Sequence, residues 1–136
     1  MLTFQALQNK KITVFGGNQV RPNIHIQDMI RVYEHFLIKA DTLESGNYNA
    51  GFENMSILAI AELIQSQIPA EIIVTESNDP RSYRQNSDKL LGTNYIKQFS
   101  VQHAIDEIIE KYNSGDLEEK DEYFTVKTMK ALNLQE

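Results

Sequence analysis

The 136-residue sequence has no cysteine and no tryptophan. Without cysteine, the chain can form neither disulfides nor thiolate zinc sites, and it has no cysteine nucleophile. Its longest apolar stretches, such as residues 57–61, are far shorter than the roughly 20 residues that a membrane span requires, and the first residues lack a signal-peptide pattern. The composition therefore predicts a cytoplasmic protein with no membrane partner.

Positive charge is also scarce, with 13 Lys and Arg against 19 Asp and Glu and a net charge of −6. Nucleic-acid binding depends on many cations that displace phosphate counterions, so this balance argues against a nucleic-acid partner. The hydrophobic share of 41% and charged share of 24% are typical of a globular domain, and no repeat or internal boundary is visible. We expect a single domain over residues 1–136, in which any anionic ligand is met by a local cluster of cations.

The six glycines, at positions 16, 17, 46, 51, 92 and 115, are too scattered for the common phosphate-binding loops. Neither Gly-x-Gly-x-x-Gly nor Gly-x-x-x-x-Gly-Lys can be written, and the Gly-x-Ser-x-Gly elbow is absent too. His25, His35 and His103 lie singly in separate segments, without the spacing that places two metal ligands on one helix face. The sequence therefore predicts no metal site.

Short β-branched runs alternate with amphipathic segments, which predicts an α/β domain with a small sheet and helices packed on it. Strands are predicted at residues 11–15, 46–51 and 71–75. Helices are predicted to start near Ile26 and at the capping residues Ser56, Ser87 and Ser100, and a weaker one over residues 125–134. In the first helix, the predicted apolar face contains Met29, Val32, Tyr33, Phe36 and Leu37.

Positive charge is concentrated in two loops. Arg21 precedes Pro22, which holds it extended just before the first helix, while Arg81 and Arg84 lie in a polar loop after the strand at residues 71–75. Arginine binds phosphate oxygens through two parallel hydrogen bonds, so two such loops could together hold a diphosphate. Ordinary surface ion pairs with the surplus carboxylates are the alternative interpretation.

Three further polar residues have a binding and a structural interpretation each. Asp28 follows His25 by three residues, so its carboxylate can accept from backbone amides or from the imidazole. A helix cap with a buried structural histidine is the commoner arrangement. Asn49 could offer its amide to a ligand or stabilise a turn.

Three segments together resemble the C-terminal part of the extended short-chain dehydrogenase/reductase superfamily. They are FGGNQVRPNIHIQDM at residues 15–29, YNAG at residues 48–51 and DPRSY at residues 79–83. Their order and approximate spacing resemble the substrate half of an NAD-dependent nucleotide-sugar epimerase or dehydratase, over residues 4–112.

The resemblance implies a nucleotide-diphosphate-sugar substrate. Arg21 and Arg81 would contact the diphosphate, and His25 and Asp28 would support the loop that carries Arg21. Asn49 would lie near the nucleotide. The candidate substrate-binding residues are thus Arg21, Asn23, Asn49, Arg81 and Tyr83.

The resemblance also indicates what the matched region does not include. In this family the NAD loop and the catalytic Tyr-x-x-x-Lys belong to an N-terminal Rossmann domain. Tyr123 and Lys127 have that spacing, but no glycine loop precedes them and we interpret the pair as a chance match. We expect a fragment of a larger enzyme that holds no cofactor, has no catalytic residue and is inactive alone, while the full-length enzyme uses NAD. A stand-alone nucleotide-sugar binding module or a homo-oligomerisation module is the alternative.

Overall fold

The computed structural model describes residues 1–77, 81–118, 120 and 125–132. Its strands are β1 (Lys11–Phe15), β2 (Val20–Asn23), β3 (Glu53–Ser56) and β4 (Glu71–Thr75). Its helices are α1 (Leu2–Asn9), α2 (Ile26–Ile38), α3 (Ile57–Gln65), α4 (Asp88–Leu91), α5 (Val101–Asn113) and α6 (Thr125–Ala131). The predicted α/β fold with packed helices is confirmed, although the described strands form two two-stranded sheets, β1–β4 and β2–β3, in place of one small sheet.

The larger hydrophobic cluster forms around β1 and β4. These strands pair in parallel, with Lys11 opposite Glu71 and Phe15 opposite Thr75, and α1, α3 and α5 pack nearby. The strands read KITVF and EIIVT, and such β-branched runs favour the pleated backbone. The buried members of the larger cluster are Ala6, Ile12, Val14, Ala61, Ile64, Ile68 and Ile105.

The antiparallel pair β2–β3 presents Arg21. Arg21 lies opposite Met55, and Pro22 lies opposite Asn54. Proline has no backbone N–H to donate, so it suits a strand that has a neighbour on one side only. This pair therefore forms a short ribbon with Arg21 in its middle.

A smaller hydrophobic cluster lies beside α2. Its buried members are Val32, Leu90 and Tyr95, and the partly buried residues around them are Ile24, Phe36, Tyr48, Ala50 and Phe52. Tyr48 packs edge-on against Phe36, with ring centroids 4.9 Å apart, while Phe52 stacks on Tyr95 at 5.7 Å. The smaller cluster joins α2 to the loop that follows it and to α4.

The predicted apolar face of α2 is only half correct. Val32 is buried and Phe36 is partly buried, but Tyr33 is 67% exposed and Leu37 is 79% exposed. Ile26 and Ile30 are exposed as well, because α2 carries apolar residues on more than one side and the described residues cover one of them. Periodicity alone did not identify which side that is.

The predicted strand at residues 46–51 is wrong. Tyr48, Ala50 and Phe52 do alternate into the smaller cluster, as the side chains of a strand would. However, the backbone N–H and C=O groups of residues 47–50 make no hydrogen bond with any described residue, so the segment is extended without being a strand. The strand in this region is instead β3, whose sequence ENMS carries no strand pattern.

Helix ends explain most of the correctly predicted helices. The Ser56 Oγ accepts a hydrogen bond from the Ala59 amide at 3.0 Å, at the start of α3. Ser100 begins α5 with a capping box, in which its Oγ accepts from the His103 amide and the His103 Nδ1 accepts from the Ser100 amide. Beyond α5, Gly115 has a φ of +79°, which favours glycine.

Two predictions about helix ends need correction. Ser87 does not cap α4 with its side chain; the Asn86 Oδ1 accepts from the Asp88 amide instead, at 2.7 Å. The first helix of the chain, α1, was not predicted because no side-chain cap marks its start. No described helix has the length and apolar character needed to cross a membrane.

Candidate functional site

The segment at residues 81–87, here called the arginine segment, runs alongside the β2–β3 ribbon. At its start the Tyr83 amide donates to the Val20 carbonyl at 2.9 Å, and the Ser82 Oγ accepts from the Val20 amide at 3.0 Å. Farther along, Asn54 on β3 both donates to the Gln85 carbonyl and accepts from the Gln85 amide, each at 2.9 Å. Side chains therefore hold the segment in place.

The far end of the arginine segment is fixed in the same way. The buried Ser87 Oγ accepts from the Gly51 amide at 3.0 Å and donates to the Gly51 carbonyl at 3.2 Å. A side chain at Gly51 would collide with the Gln85 Oε1 and would lie 2.9 Å from the Pro22 Cβ. Glycine is thus required here because the backbone of one segment approaches the side chains of two others.

Arg21, Arg81 and Tyr83 come together at the start of the arginine segment. The Arg21 Nη1 donates to the Arg81 carbonyl at 2.6 Å, although 60 residues separate these two positions, and to the Val20 carbonyl at 3.0 Å. The Arg21 guanidinium carbon lies 5.1 Å from the centre of the Tyr83 ring, a cation–π contact. Three of the five predicted site residues therefore form one group.

Asn23 and Asn49 lie apart from that group and have structural partners. The Asn23 Nδ2 donates to the Arg21 carbonyl at 2.8 Å and to the Glu53 carbonyl at 3.0 Å, so it joins the end of β2 to β3. The exposed Asn49 donates to the Asn86 carbonyl at 3.2 Å, at the far end of the arginine segment. Both contacts favour a supporting role over direct ligand contact.

His25 is a helix cap and a buried structural histidine, one of the two interpretations that its spacing allowed. Its Nδ1 accepts from the Gln27 amide at 3.2 Å, at the start of α2. Its ring stacks on Phe99 at 4.8 Å, and its Nε2 lies 3.3 Å from a carboxylate oxygen of Glu107 on α5. His25 therefore connects the start of α2 to α5. Arg21, predicted in a loop, lies in β2, which ends two residues before this cap.

Asp28 is fully buried and accepts from backbone amides far along the chain. The amides of Gln98 and Phe99 donate to it at 2.9 to 3.1 Å, as do the Tyr95 hydroxyl at 3.0 Å and Arg31 at 2.9 Å. Burial raises the pKa of a carboxyl group, but here the hydrogen bonds from Phe99, Gln98 and Tyr95 and the Arg31 charge outweigh it, so the pKa of Asp28 lies below its ordinary value. Asp28 thus holds residues 95–99 against the start of α2.

Asn54 and Ser87 hold the backbone of the candidate site in place, a role that the sequence did not indicate. Their partners, Gln85 and Gly51, lie 31 and 36 residues away, so no local spacing marks them. The only available signal was chemical, since a short polar side chain at the edge of a strand or loop readily bonds to backbone groups.

The described residues do not fit a dinucleotide or a metal ion. The Gly16–Gly17 turn after β1 leads into β2 rather than into a helix, and the space above Gly16 is filled by Gln19 and Ser77, 2.8 and 2.9 Å from where a Cβ would lie. Within the described ranges, no three His, Asp or Glu residues form a metal-binding group. Tyr123 of the Tyr123–Lys127 pair and the motif positions Asp79 and Pro80 lie outside the described residues.

Solved structures of two enzymes are similar to this chain in fold, whereas no protein-family model matches the chain. The first is a dTDP-glucose 4,6-dehydratase from Bacillus anthracis in complex with NAD, with a TM-score of 0.68 and 22% identity over 83% of this chain and 37% of that one. The second is an ADP-L-glycero-D-manno-heptose-6-epimerase from Helicobacter pylori, with a TM-score of 0.65 and 18% identity over 80% of this chain and 35% of that one.

This chain therefore spans little more than a third of the length of either enzyme. The likeness concerns the fold, and it agrees with the resemblance that the three sequence segments indicate. The chain has the α/β fold of the C-terminal region of extended short-chain dehydrogenase/reductase enzymes.

Proposed function

We propose that this chain is the substrate-binding portion of an NAD-dependent nucleotide-sugar epimerase or dehydratase, and that Arg21 and Arg81 bind the nucleotide diphosphate. The observation that carries the proposal is the contact between the Arg21 side chain, the Arg81 backbone and the Tyr83 ring. Hydride chemistry would belong to NAD on a separate Rossmann domain, because the described residues here do not fit a dinucleotide.

The surroundings of Arg21 favour recognition of an anion. Its guanidinium is oriented by two carbonyl groups and by the Tyr83 ring, so less side-chain entropy is lost when it binds a ligand. A guanidinium also matches two phosphate oxygens at once, which an ammonium group cannot do. Because the whole chain carries a net charge of −6, attraction of a diphosphate must come from such a local group.

The proposal is tested by nucleotide binding to wild type and to Arg21→Lys and Arg81→Lys, measured by calorimetry and thermal unfolding with UDP, GDP, ADP, dTDP and CDP. Lysine keeps the charge but loses the paired hydrogen bonds, so we expect binding of the preferred nucleotide to weaken at least about tenfold. For wild type, ligand at about 100 times its Kd should add about 2.7 kcal/mol and raise the unfolding midpoint by several degrees.

Lys111→Ala is the matched control, since Lys111 pairs with Asp116 beyond the end of α5, 3.2 Å away. It should bind nucleotide as wild type does. Equal affinity in wild type and both lysine variants, or no binding of any nucleotide at millimolar concentration, would overturn the diphosphate assignment.

A role as an oligomerisation module is a second candidate, and α2 favours it. The side chains of Ile26, Ile30, Tyr33 and Leu37 follow one another at helical spacing, and their exposed fractions run from 46% to 79%. An apolar stripe of this kind is typical of a protein contact surface. We call these residues the α2 stripe.

A further inference from the structure

A cleft lies between the later part of the arginine segment, residues 51–54 and α4. Its volume is about 500 Å³, within the range of sites for small ligands. Apolar, amide and cationic side chains line it, among them Phe52, Leu91, Asn54, Gln85, Arg84 and Lys97. Neither Arg84 nor Lys97 is among the residues proposed to bind the diphosphate.

Arg84 and Lys97 carry uncompensated positive charge. Neither forms an ion pair or a hydrogen bond with any residue that the structure describes. Other cations of this acidic chain do have carboxylate partners, for example Lys11 with Glu71 at 3.7 Å. The cleft also contains Asp88, whose carboxylate already accepts from the Asn86 side chain at 2.8 Å. The balance of these three charged side chains is positive within a chain whose net charge is −6.

Hydrogen bonds of neighbouring residues hold the backbone at both Arg84 and Lys97. Arg84 lies between Tyr83 and Gln85, whose amides donate to the Val20 carbonyl and the Asn54 side chain. Lys97 precedes Gln98, whose amide donates to both oxygens of the buried Asp28 at 3.1 Å. A cleft with cations on fixed backbone loses less entropy on binding than one formed by mobile loops.

We propose that this cleft binds an anionic group, a carboxylate or a phosphate, carried on a sugar-sized molecule. Arg84 would bind two oxygens of the anion, Lys97 would supply a second positive charge, and Phe52 and Leu91 would cover the apolar face of the sugar ring. These roles follow from the cleft alone and do not require that Arg21 and Arg81 bind a diphosphate.

Two sources supply such an anion. One rests on the proposed function: Arg84 lies three residues beyond Arg81, at most about 10 Å along the backbone, so an acidic sugar could extend from a diphosphate at Arg21 and Arg81 into the cleft. The other source is a separate sugar phosphate. The shared chemistry is an oxyanion on a sugar ring.

The test compares UDP-glucuronate with UDP-glucose, and adds glucose 6-phosphate as a probe without a nucleotide. Calorimetry is run in about 0.15 M salt, where weak long-range attraction is screened. The variant is Arg84→Gln with Lys97→Gln. The matched control is Lys11→Gln with Lys111→Gln, which removes the same charge from two exposed ion pairs on other elements.

We expect at least one anionic probe to bind wild type and the control equally and to bind the Arg84/Lys97 variant at least about tenfold more weakly. A preference for UDP-glucuronate over UDP-glucose that disappears in the variant identifies the acidic nucleotide-sugar. Loss of glucose 6-phosphate binding, without competition from UDP, identifies the separate sugar phosphate.

The proposal is overturned if neither UDP-glucuronate nor glucose 6-phosphate binds at millimolar concentration, or if the variant binds each as wild type does. Failure of the proposed function looks different. In that case none of UDP, GDP, ADP, dTDP and CDP binds, or the preferred nucleotide binds regardless of Arg21→Lys, while the glucose 6-phosphate arm still reports on Arg84 and Lys97.

Discussion

Single side chains hold the backbone around the site where a ladder of strand hydrogen bonds would normally do so. Asn54 and Ser87 fix the arginine segment, and Asp28 fixes residues 95–99. Because each of these side chains serves two or more backbone groups, its loss leaves several polar groups without a partner. The geometry of the site therefore depends on a few residues that would not contact a ligand.

Asp28→Asn is expected to lower the free energy of unfolding by about 3 kcal/mol at neutral pH. The amide keeps the shape of the carboxylate but cannot accept from Tyr95, Gln98, Phe99 and Arg31 together. Urea unfolding measures the change. Asp106→Asn, on the exposed face of α5 with Gln102 as its partner, should change stability by less than about 0.5 kcal/mol.

The contribution of Asp28 should also depend on pH. Its pKa is lowered in the folded state, so its stabilisation is fully present above the unfolded value, about 3.9, and is lost as the pH falls through the folded value. The stability gap between wild type and Asp28→Asn should therefore narrow below about pH 4. A gap that stays constant into this acid range would show that the charge of Asp28 is not what stabilises the fold.

Tyr95→Phe should remove a late step from the alkaline titration of tyrosine absorbance. Burial, the hydrogen bond to Asp28 and the Asp28 charge raise the pKa of Tyr95 to about 12. Its stabilisation is thus fully present below the unfolded value of about 10 and is lost as the pH rises towards 12. The variant should also lose about 1 kcal/mol of stability near neutral pH, and a step near this pKa that persists in it would contradict the assignment.

At the scale of elements, β3 and the arginine segment lie side by side, and the Asn54 side chain, instead of backbone-to-backbone hydrogen bonds, connects them. We expect Asn54→Ala to increase hydrogen exchange at the Gln85 amide by at least about tenfold, since that amide then has no acceptor on β3. The Tyr83 amide, which donates to the Val20 carbonyl, provides the internal control and should keep its protection. Equal acceleration at both amides would indicate general loosening instead.

The elements differ in how far the sequence predicts them. β1 and β4 were predicted with their observed bounds, because β-branched residues fill both strands and punctuating residues follow. β3 has the sequence ENMS, which has no β-branched residue, and it is a strand because β2 lies beside it. α1 has no capping side chain and depends on packing against α3 and α5.

The site shows the same division. The approach of Arg21 to Arg81 and Tyr83 was expected from the order of the three family-like segments, whereas their spacing alone favours ordinary surface ion pairs. The contacts of Asn23 and Asn49 and the positions of Asn54 and Lys97 depend on long-range packing. No local pattern in one sequence contains that information.

At the scale of the whole molecule, the α2 stripe predicts concentration-dependent association. Tyr33→Gln with Leu37→Gln should weaken self-association at least about tenfold in sedimentation velocity, because it removes apolar surface without changing the net charge. Both side chains are largely exposed, so stability should change by less than about 0.5 kcal/mol. Val126→Gln alters an exposed apolar residue on α6 and should leave association unchanged. A wild type that stays monomeric at all concentrations would refute this role of the α2 stripe.

The division of the core into two hydrophobic clusters has a consequence for cooperativity. The larger cluster joins both strands of the parallel pair to three helices, whereas the smaller one joins α2 to loops and to α4. Fewer buried contacts are broken when the smaller unit opens, so its opening free energy is lower. We therefore expect it to unfold sub-globally while the larger unit stays intact. Phe52 packs against the smaller cluster and also lines the cleft. A ligand in the cleft would thus raise the opening free energy of this part of the molecule while the rest stayed as it was, and binding would be coupled to local folding.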